Sequence, residues 1–289
     1  VTITNSYNLP EALVRAVKAK EDHKGADYSV SMLADPPRIV HLLRRHEDEV
    51  VVDASERIWS LLGTGVHKAL EDGIDGEMGE HYMEAEVLEG VRLSGHSDLY
   101  TPETRSLDDY KVTSVWTIIY GSRDKEHEFQ LNAYAWLLRE HGYSVDAIRN
   151  IYLLRDWSKS KAKYDPSYPQ CQVVPVSRRV WSHAETEAWI TARVRVFEQH
   201  RETPDDRLPL CTPADRWQSD DTFAVKKYAK QRAVKVCESH EEAQSIVDAG
   251  RGDFVETRRG VPKRCMEYCP VAAWCNQWQA ERAKYEGAQ

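Results

Sequence analysis

Hydrophobic positions over residues 10–71 recur at helical spacing. Pro10 suits the first turn of a helix carrying Ala12, Leu13, Val14, Ala16 and Val17, and Pro36 and Pro37 open a second with Ile39, Val40, Leu42 and Leu43. A third is expected over residues 55–71, through Ile58, Leu61, Leu62, Val66 and Leu70. From Tyr82 the alternation shortens to a period of two. Strands are expected at 83–87, at 91–100 after the Glu89-Gly90 turn, and at 106–112 after Pro102-Glu103-Thr104. Residues 126–140 return to helical period, with Leu131, Ala133, Tyr134, Trp136, Leu137 and Leu138, and stop near Gly142; residues 147–154 read as a further strand. Three strands, a helix and a fourth strand specify an α/β protein with a mixed sheet flanked by helices.

Residues 158–175, rich in Lys, Tyr and Pro, are expected to form a loop, and 181–200 a long exposed helix. Beyond Leu208 the pattern changes. A strand at 233–237 precedes Ser239-His240-Glu241-Glu242, a capping box for a helix that stops at Gly250, and a strand at 254–258 leads into a cysteine cluster. Two domains are therefore expected: residues 1–207, a core with N-terminal helices, and 208–289, a cysteine-rich module packed on it.

The 289 residues, 41% hydrophobic and 30% charged, suit a soluble globular protein and exclude global disorder. No apolar run reaches the ~18 residues of a membrane span, and residues 1–10 lack the basic and apolar stretches of a secretory signal, so a cytoplasmic protein without a membrane partner is expected. With a net charge of -8 there is no global positive field, and any polyanion must be held locally. Two local sets qualify. One is Lys226, Lys227, Lys230, Arg232 and Lys235, followed by Arg258, Arg259, Lys263 and Arg264; the other is Trp157 with Arg155, Lys159, Lys161 and Lys163, which offers stacking and phosphate contacts to a single strand. No Gly-x-x-x-x-Gly-Lys-Ser/Thr loop occurs, so no ATPase motor is expected.

Asp109-Tyr110-Lys111 places a carboxylate and an amine two residues apart on an expected strand, hence on one face. Chance alone yields about two Asp/Glu-x-Lys triplets, and Asp22-His23-Lys24 is the other one. Context distinguishes the first. Asp98, in Gly95-His96-Ser97-Asp98 on the preceding strand, lies one hairpin upstream. Two carboxylates around a hard divalent cation, with an ammonium beside them, suit phosphoryl hydrolysis: the metal positions the phosphate and acidifies a water, and the lysine stabilises developing negative charge. His67, on the helix before the sheet, offers an imidazole to the same ion. Gln130 and Tyr134, four apart on a helix, present an amide and a phenol to one side. Glu84, Glu86 or Glu71 could complete a second metal site.

The ordered set His67, Asp98, Asp109-Tyr110-Lys111 and Gln130-Leu131-Asn132-Ala133-Tyr134 resembles the RecB-like branch of the PD-(D/E)XK nucleases, which includes Cas4 and phage recombination exonucleases. The resemblance covers residues 29–154 and the C-terminal cysteines. It implies a restriction-endonuclease-like fold and a DNA nuclease acting on ends or single strands in repair, recombination or phage genome processing, alongside a helicase or recombination partner. It further implies that His67, Asp98, Asp109 and the Tyr110 carbonyl ligate Mg2+ or Mn2+, that Lys111 activates or orients the water, and that Gln130 and Tyr134 contact DNA. The rival reading is a catalytically silent DNA-binding scaffold on the same fold.

Six cysteines occur, at 171, 211, 237, 265, 269 and 275, the last three within Cys265-Met266-Glu267-Tyr268-Cys269-Pro270-Val271-Ala272-Ala273-Trp274-Cys275. Such crowding of thiols points to a cation that neutralises them, and a fourth ligand is needed for tetrahedral zinc or a cubane cluster. The resemblance implies a 4Fe-4S cluster, with structural Zn2+ as the alternative. The chain departs from the Cas4 pattern in its first cysteine gap, which is one residue longer, and in having no cysteine in Ala34-Asp35-Pro36-Pro37-Arg38. Cys211 or Cys237 must then serve. Cys211 is favoured, because a loop reaches a cluster more easily than the end of a paired strand.

Overall fold

The computed structural model describes residues 1–18 and 25–285. The triplet Asp22-His23-Lys24 lies outside the described residues. In chain order the elements are β1 (Thr2–Thr4), α1 (Glu11–Lys18), β2 (Tyr28–Ser29), α2 (Val30–Leu33), α3 (Pro37–His46), β3 (Val51–Asp53), α4 (Ile58–Glu71), β4 (Met78–Leu88), β5 (Val91–Thr101) and β6 (Ser106–Thr113). There follow α5 (Val115–Tyr120), α6 (Asp124–Glu140), β7 (Ala147–Leu154), α7 (Lys159–Tyr164), β8 (Val173–Arg178), α8 (His183–Gln199), β9 (Thr222–Lys226), β10 (Lys235–Cys237), α9 (His240–Asp248), β11 (Phe254–Arg258) and α10 (Asn276–Glu281). No helix among the described residues is long and apolar enough to cross a membrane.

The chain groups into two compact units, Val1–Asp35 with Glu47–Arg201, and Pro36–His46 with Glu202–Gln289. Helix α3 thus joins the C-terminal residues, where the sequence division had kept it with residues 1–207. Its contacts explain why. Ile39 and Leu42 pack with Leu208 and Val271, and the fully buried Arg38 donates Nε to the Pro209 carbonyl at 3.0 Å and Nη1 to Asn276 Oδ1 at 2.5 Å.

The first unit is built on a six-stranded mixed sheet of order β2-β5-β6-β7-β8, with β4 also paired to β5. Pairs β2/β5 and β6/β7 are parallel; β4/β5, β5/β6 and β7/β8 are antiparallel. Helix α6 carries Asp124 and Glu126 in its first turn, where carboxylates favour the helix dipole, and an unbroken buried run from Leu131 to Leu138. It lies close to β5 because residue 95 is glycine: a Cβ there would stand 2.8 Å from Cε1 of Tyr134. Three features go beyond the sequence reading. β4 starts at Met78, five residues early; the presumed loop 158–175 contains α7, opened by Ser158, whose side chain accepts from the Lys161 N–H; and β8 pairs antiparallel with β7.

In the second unit, β10, β9 and β11 form an antiparallel sheet against α9, around Val225, Cys237, Ala243 and Ile246. Ser239 caps α9 as expected, accepting from the Glu242 N–H at 3.1 Å. The Glu242 carboxylate takes Lys235 at 2.6 Å.

Candidate active site

The ladder between β5 and β6 runs over only three pairs, Leu99 with Asp108, Tyr100 with Leu107 and Thr101 with Ser106. The rest of β6, from Asp109 to Thr113, is paired to β7 alone. The two strands therefore splay at Asp98 and Asp109. The Tyr110 N–H, left without a strand carbonyl, donates to Asp98 Oδ2 at 2.7 Å. A buried donor is satisfied and the carboxylate is fixed in the opening.

His67, on α4, faces this opening. Its Nε2 stands 3.1 Å from the Tyr110 carbonyl, and its Nδ1 is 3.6 Å from both Asp98 Oδ1 and Glu80 Oε1. With the ring proton on Nε2, donated to the carbonyl, the Nδ1 lone pair is directed toward the two carboxylates. One ligand atom each of His67, Glu80 and Asp98 lies within 4.8 Å of the other two. Together with Tyr110 these residues line a cavity of about 250 Å³, whose wall also includes Glu71 and Glu77. Burial pushes the Asp98 carboxyl up to about 7, and the Asp109 charge pushes the same way against His67, Lys111 and the Tyr110 N–H. Such a site favours a cation that relieves the repulsion.

Asp109 is buried and held from two sides. Lys111 Nζ donates to Oδ1 at 2.7 Å, and Asn150 Nδ2 to Oδ2 at 2.9 Å. Asn150 is the register partner of Asp109 on β7, and its Oδ1 accepts from Arg178 Nε at 2.9 Å. Arg178 in turn donates to the Tyr152 hydroxyl at 2.7 Å and to Asp124 at 2.8 Å, and Tyr152 meets His127 Nδ1 at 2.6 Å. Burial and the nearby Arg123 and Lys111 charges hold His127 down at about 4, so its ring stays neutral in this chain of polar groups. Gln130 and Tyr134 share a side of α6 and are hydrogen-bonded to each other at 3.0 Å; the Tyr134 ring is largely buried against Gly95.

The acidic residue that joins the site from β4 is Glu80, where the sequence reading named Glu84 or Glu86. Antiparallel pairing sets His81 beside Ser97 and Gly79 beside Leu99, so Glu80 lies opposite Asp98; Glu84 pairs with Ser94 and is engaged by Tyr82 and Arg92, and Glu86 accepts from the Gly90 N–H. Glu80 adopts φ 38°, a left-handed conformation that costs a non-glycine residue roughly 1–2 kcal/mol. Counting register back from the Glu89-Gly90 turn would have set His81 opposite Asp98, because an irregularity between Glu86 and Leu88 shifts the pairing by one residue. Trp157, half-buried, packs against the cluster of Val115, Tyr152, Leu154 and Tyr168 and donates its ring N–H to the Pro169 carbonyl at 2.7 Å, so it also serves the core.

In the second unit Cys211, Cys265, Cys269 and Cys275 line one small enclosed hollow. Burial raises the Cys211 thiol to about 12, helped by Asp215 and the neighbouring thiols, and raises Cys269 to about 11. Arg38 Nη1 stands 3.9 Å from Cys275 Sγ, and Arg216 is hydrogen-bonded to Cys265. Cys237 is absent from this hollow and buried in the core between β10 and α9. Cys171 is exposed.

A family model described as the PD-(D/E)XK nuclease superfamily matches residues 10–276. No curated protein matches the chain. Among solved structures, SSO0001 is 17% identical, over 66% of this chain and 86% of its own, with a TM-score of 0.45. A phage-related exonuclease from Haemophilus somnus 129PT is 14% identical, over 66% and 79% respectively, with a TM-score of 0.31.

Proposed function

The chain belongs to the PD-(D/E)XK nuclease superfamily, and on that premise we propose a divalent-cation-dependent deoxyribonuclease that hydrolyses phosphodiester bonds from DNA ends. Its setting in this reading is repair, recombination or phage genome processing in a prokaryotic or phage-infected cytoplasm, beside a helicase or recombination partner. The observation that supports the reading is the approach of His67, Glu80 and Asp98 where β5 and β6 splay, with Asp109, bonded to Lys111, near enough for its charge to act on Asp98.

Carboxylate oxygens, a carbonyl and one imidazole are the donor set of a hard cation, and the raised Asp98 carboxyl is the sign of a site short of positive charge. His67, Asp98, Asp109, the Tyr110 carbonyl and Glu80 would hold Mg2+ or Mn2+. Such an ion, when bound, polarises the phosphoryl oxygen and acidifies water. The side chains do the rest. Lys111, partly exposed, keeps its ammonium against Asp109 and directs a donor at charge developing on the phosphate. Asn150 fixes the other Asp109 oxygen, so the carboxylate cannot rotate away. In this reading Gln130 and Tyr134 contact DNA from α6.

We assign Cys211, Cys265, Cys269 and Cys275 to a structural 4Fe-4S cluster. Supporting this reading, the four cysteines line one small enclosed hollow, and four thiolates are the ligand set of a cubane cluster.

The test is degradation of end-labelled linear and circular DNA in Mg2+ or Mn2+ by the parent, Asp109→Ala and Lys111→Ala. Loss of linear DNA with the parent alone is expected. Equal degradation by all three proteins would discard the assignment, and equal attack on the circle would discard the requirement for ends.

A further inference from the structure

Immediately beyond the Asp109-Tyr110-Lys111 strand, the first unit exposes a set of aromatic rings that its core does not use. Helix α5 starts one residue after β6, and its start is pinned to the end of β7: Ser114 Oγ donates to Asp156 Oδ2 at 2.6 Å and the Val115 N–H to Oδ1 at 2.7 Å. The helix then presents Trp116 and Tyr120, four apart, stacked at 5.6 Å and 16°, and 46% and 72% exposed. Trp116 and Tyr164 (79% exposed) line an open trough of about 530 Å³ with Lys161 between them in sequence and space. Lys161 Nζ is 5.8 Å from the centre of the Trp116 ring, and Lys163 Nζ is 5.3 Å from that of Tyr164. A further pair, Arg155 over Trp59 at 4.2 Å, ties the end of β7 to α4, where Trp59 lies eight residues, about 12 Å, before His67.

Large rings held open to water cost solvation free energy unless something covers them. The chemistry of the cover is set by the cations. From Trp157 to Tyr164 the chain has three lysines and no acid, and among the described residues none of the three is in an ion pair. In the other basic run Lys226 and Lys235 are neutralised, by Glu256 at 3.0 Å and Glu242 at 2.6 Å, whereas Lys227, Lys230 and Arg232 are in no ion pair among the described residues. Asp165, at the trough edge, turns its carboxylate to Ser167, accepting from its N–H at 2.9 Å and its hydroxyl at 2.6 Å. Flat apolar faces alternating with unpaired ammonium groups match unpaired bases alternating with phosphates. A duplex, with its bases stacked inside, cannot offer that pattern.

We propose that the trough of Trp116, Lys161 and Tyr164, extended by Tyr120 stacked on Trp116 and by Lys163 beside Tyr164, binds unpaired nucleotides of single-stranded DNA and leads the strand toward the opening at Asp98 and Asp109. This rests on the nuclease reading for the identity of the strand, and its test is separate. Binding of a fluorescein-labelled oligo(dT), and of a blunt duplex, is measured by anisotropy on the full chain with Ca2+ replacing Mg2+. Trp116→Ala should weaken oligo(dT) binding roughly tenfold, within the range found for loss of one base-stacking ring, with duplex binding unchanged and Trp116→Phe restoring most of the loss. Lys161→Ala with Lys163→Ala should lower the slope of log affinity against log salt by about 0.7 per lysine. Unchanged oligo(dT) affinity in the Trp116 and lysine variants would overturn the proposal and leave the trough as a protein-docking face; equal losses for duplex would overturn its selectivity. Cleavage by Asp109→Ala bears on the nuclease reading alone, so the two can fail independently.

Discussion

Asp98 shows how one side chain reports the chemistry of its surroundings. Its carboxyl is raised from the ordinary 3.8 to about 7, so the fold binds the proton more tightly than the unfolded chain does. Without a cation, the stability that Asp98 contributes is fully present below about pH 4, is lost as pH rises from about 4 to 7, and changes no further above. A divalent cation must displace that proton. Its affinity should therefore rise with pH up to about 7 and then level, and Asp98→Asn should make this dependence shallower, leaving the part due to the His67 ring; calorimetric Mn2+ titrations across that range check both. Glu80 and Asn150 extend the argument to residues outside the sequence motif. Glu80→Gln keeps the size and the strained φ of 38° but loses the charge facing His67, so weaker Mn2+ binding with little change in melting temperature is expected. Asn150→Ala leaves Asp109 Oδ2 without its donor and Arg178 Nε without its acceptor. Groups that orient metal ligands are worth about 10- to 100-fold in affinity or activity, and a loss of that size in cleavage with substrate binding retained would mark Asn150 as a positioning residue.

Two glycines test the elements that carry the site, with opposite signs. Gly65 lies within α4, and a Cβ there meets nothing within 4 Å, so Gly65→Ala should stabilise the helix by up to about 1 kcal/mol and raise the melting temperature by a few degrees. Gly95→Ala meets Tyr134 at 2.8 Å and Leu137 at 2.9 Å; forcing α6 off β5 should cost about 1–3 kcal/mol and lower it. Thermal melts of the two variants decide both. These elements were legible in the chain to different degrees. Helix α6 and strands β5 to β7 have long periodic runs, so their types, and a mixed sheet, could be read directly. The His67, Asp98, Asp109 and Lys111 set was readable as an ordered motif, because its members follow one another on α4, β5 and β6. Glu80 was hidden because β4 opens with Met78-Gly79-Glu80, which has no β-branched or aromatic residue, and pairing to β5 makes it a strand. Helix α7 was hidden for a related reason: Lys-Ser-Lys-Ala-Lys-Tyr has no apolar stripe, and the Ser158 cap starts the helix. Trp157 was read as a stacking ring because composition cannot say that the segment before α7 would turn it against the core.

At the scale of the whole chain, the second unit gathers thiols from distant stretches, Cys211 after the long α8 and Cys265, Cys269 and Cys275 near the end, around the buried Arg38 of α3. The apolar cluster beside them is small: Ile39, Leu42, Leu208, Val271 and Cys275, with Trp274 and Trp278 partly exposed around it. Four thiols, Cys275 buried and the other three half-buried, add little to such a core unless ligated, whereas structural thiolate sites in small domains contribute on the order of 10 kcal/mol to folding. The ligand assignment therefore predicts a split between two kinds of cysteine. Cys211→Ser and Cys265→Ser should lose the metal and much of the stability of this unit. Cys237→Ser should keep the metal in full, although a hydroxyl buried among Val225, Ala243 and Ile246 would still cost about 1–3 kcal/mol if unsatisfied. Melting temperature falls in all three variants, so it cannot discriminate; metal content can. Iron and acid-labile sulfide analysis on anaerobically purified protein, with zinc measured in the same samples, reads the outcome. Full occupancy in Cys211→Ser would remove Cys211 from the ligand set, and zinc without iron in the parent would replace the cluster with a single ion.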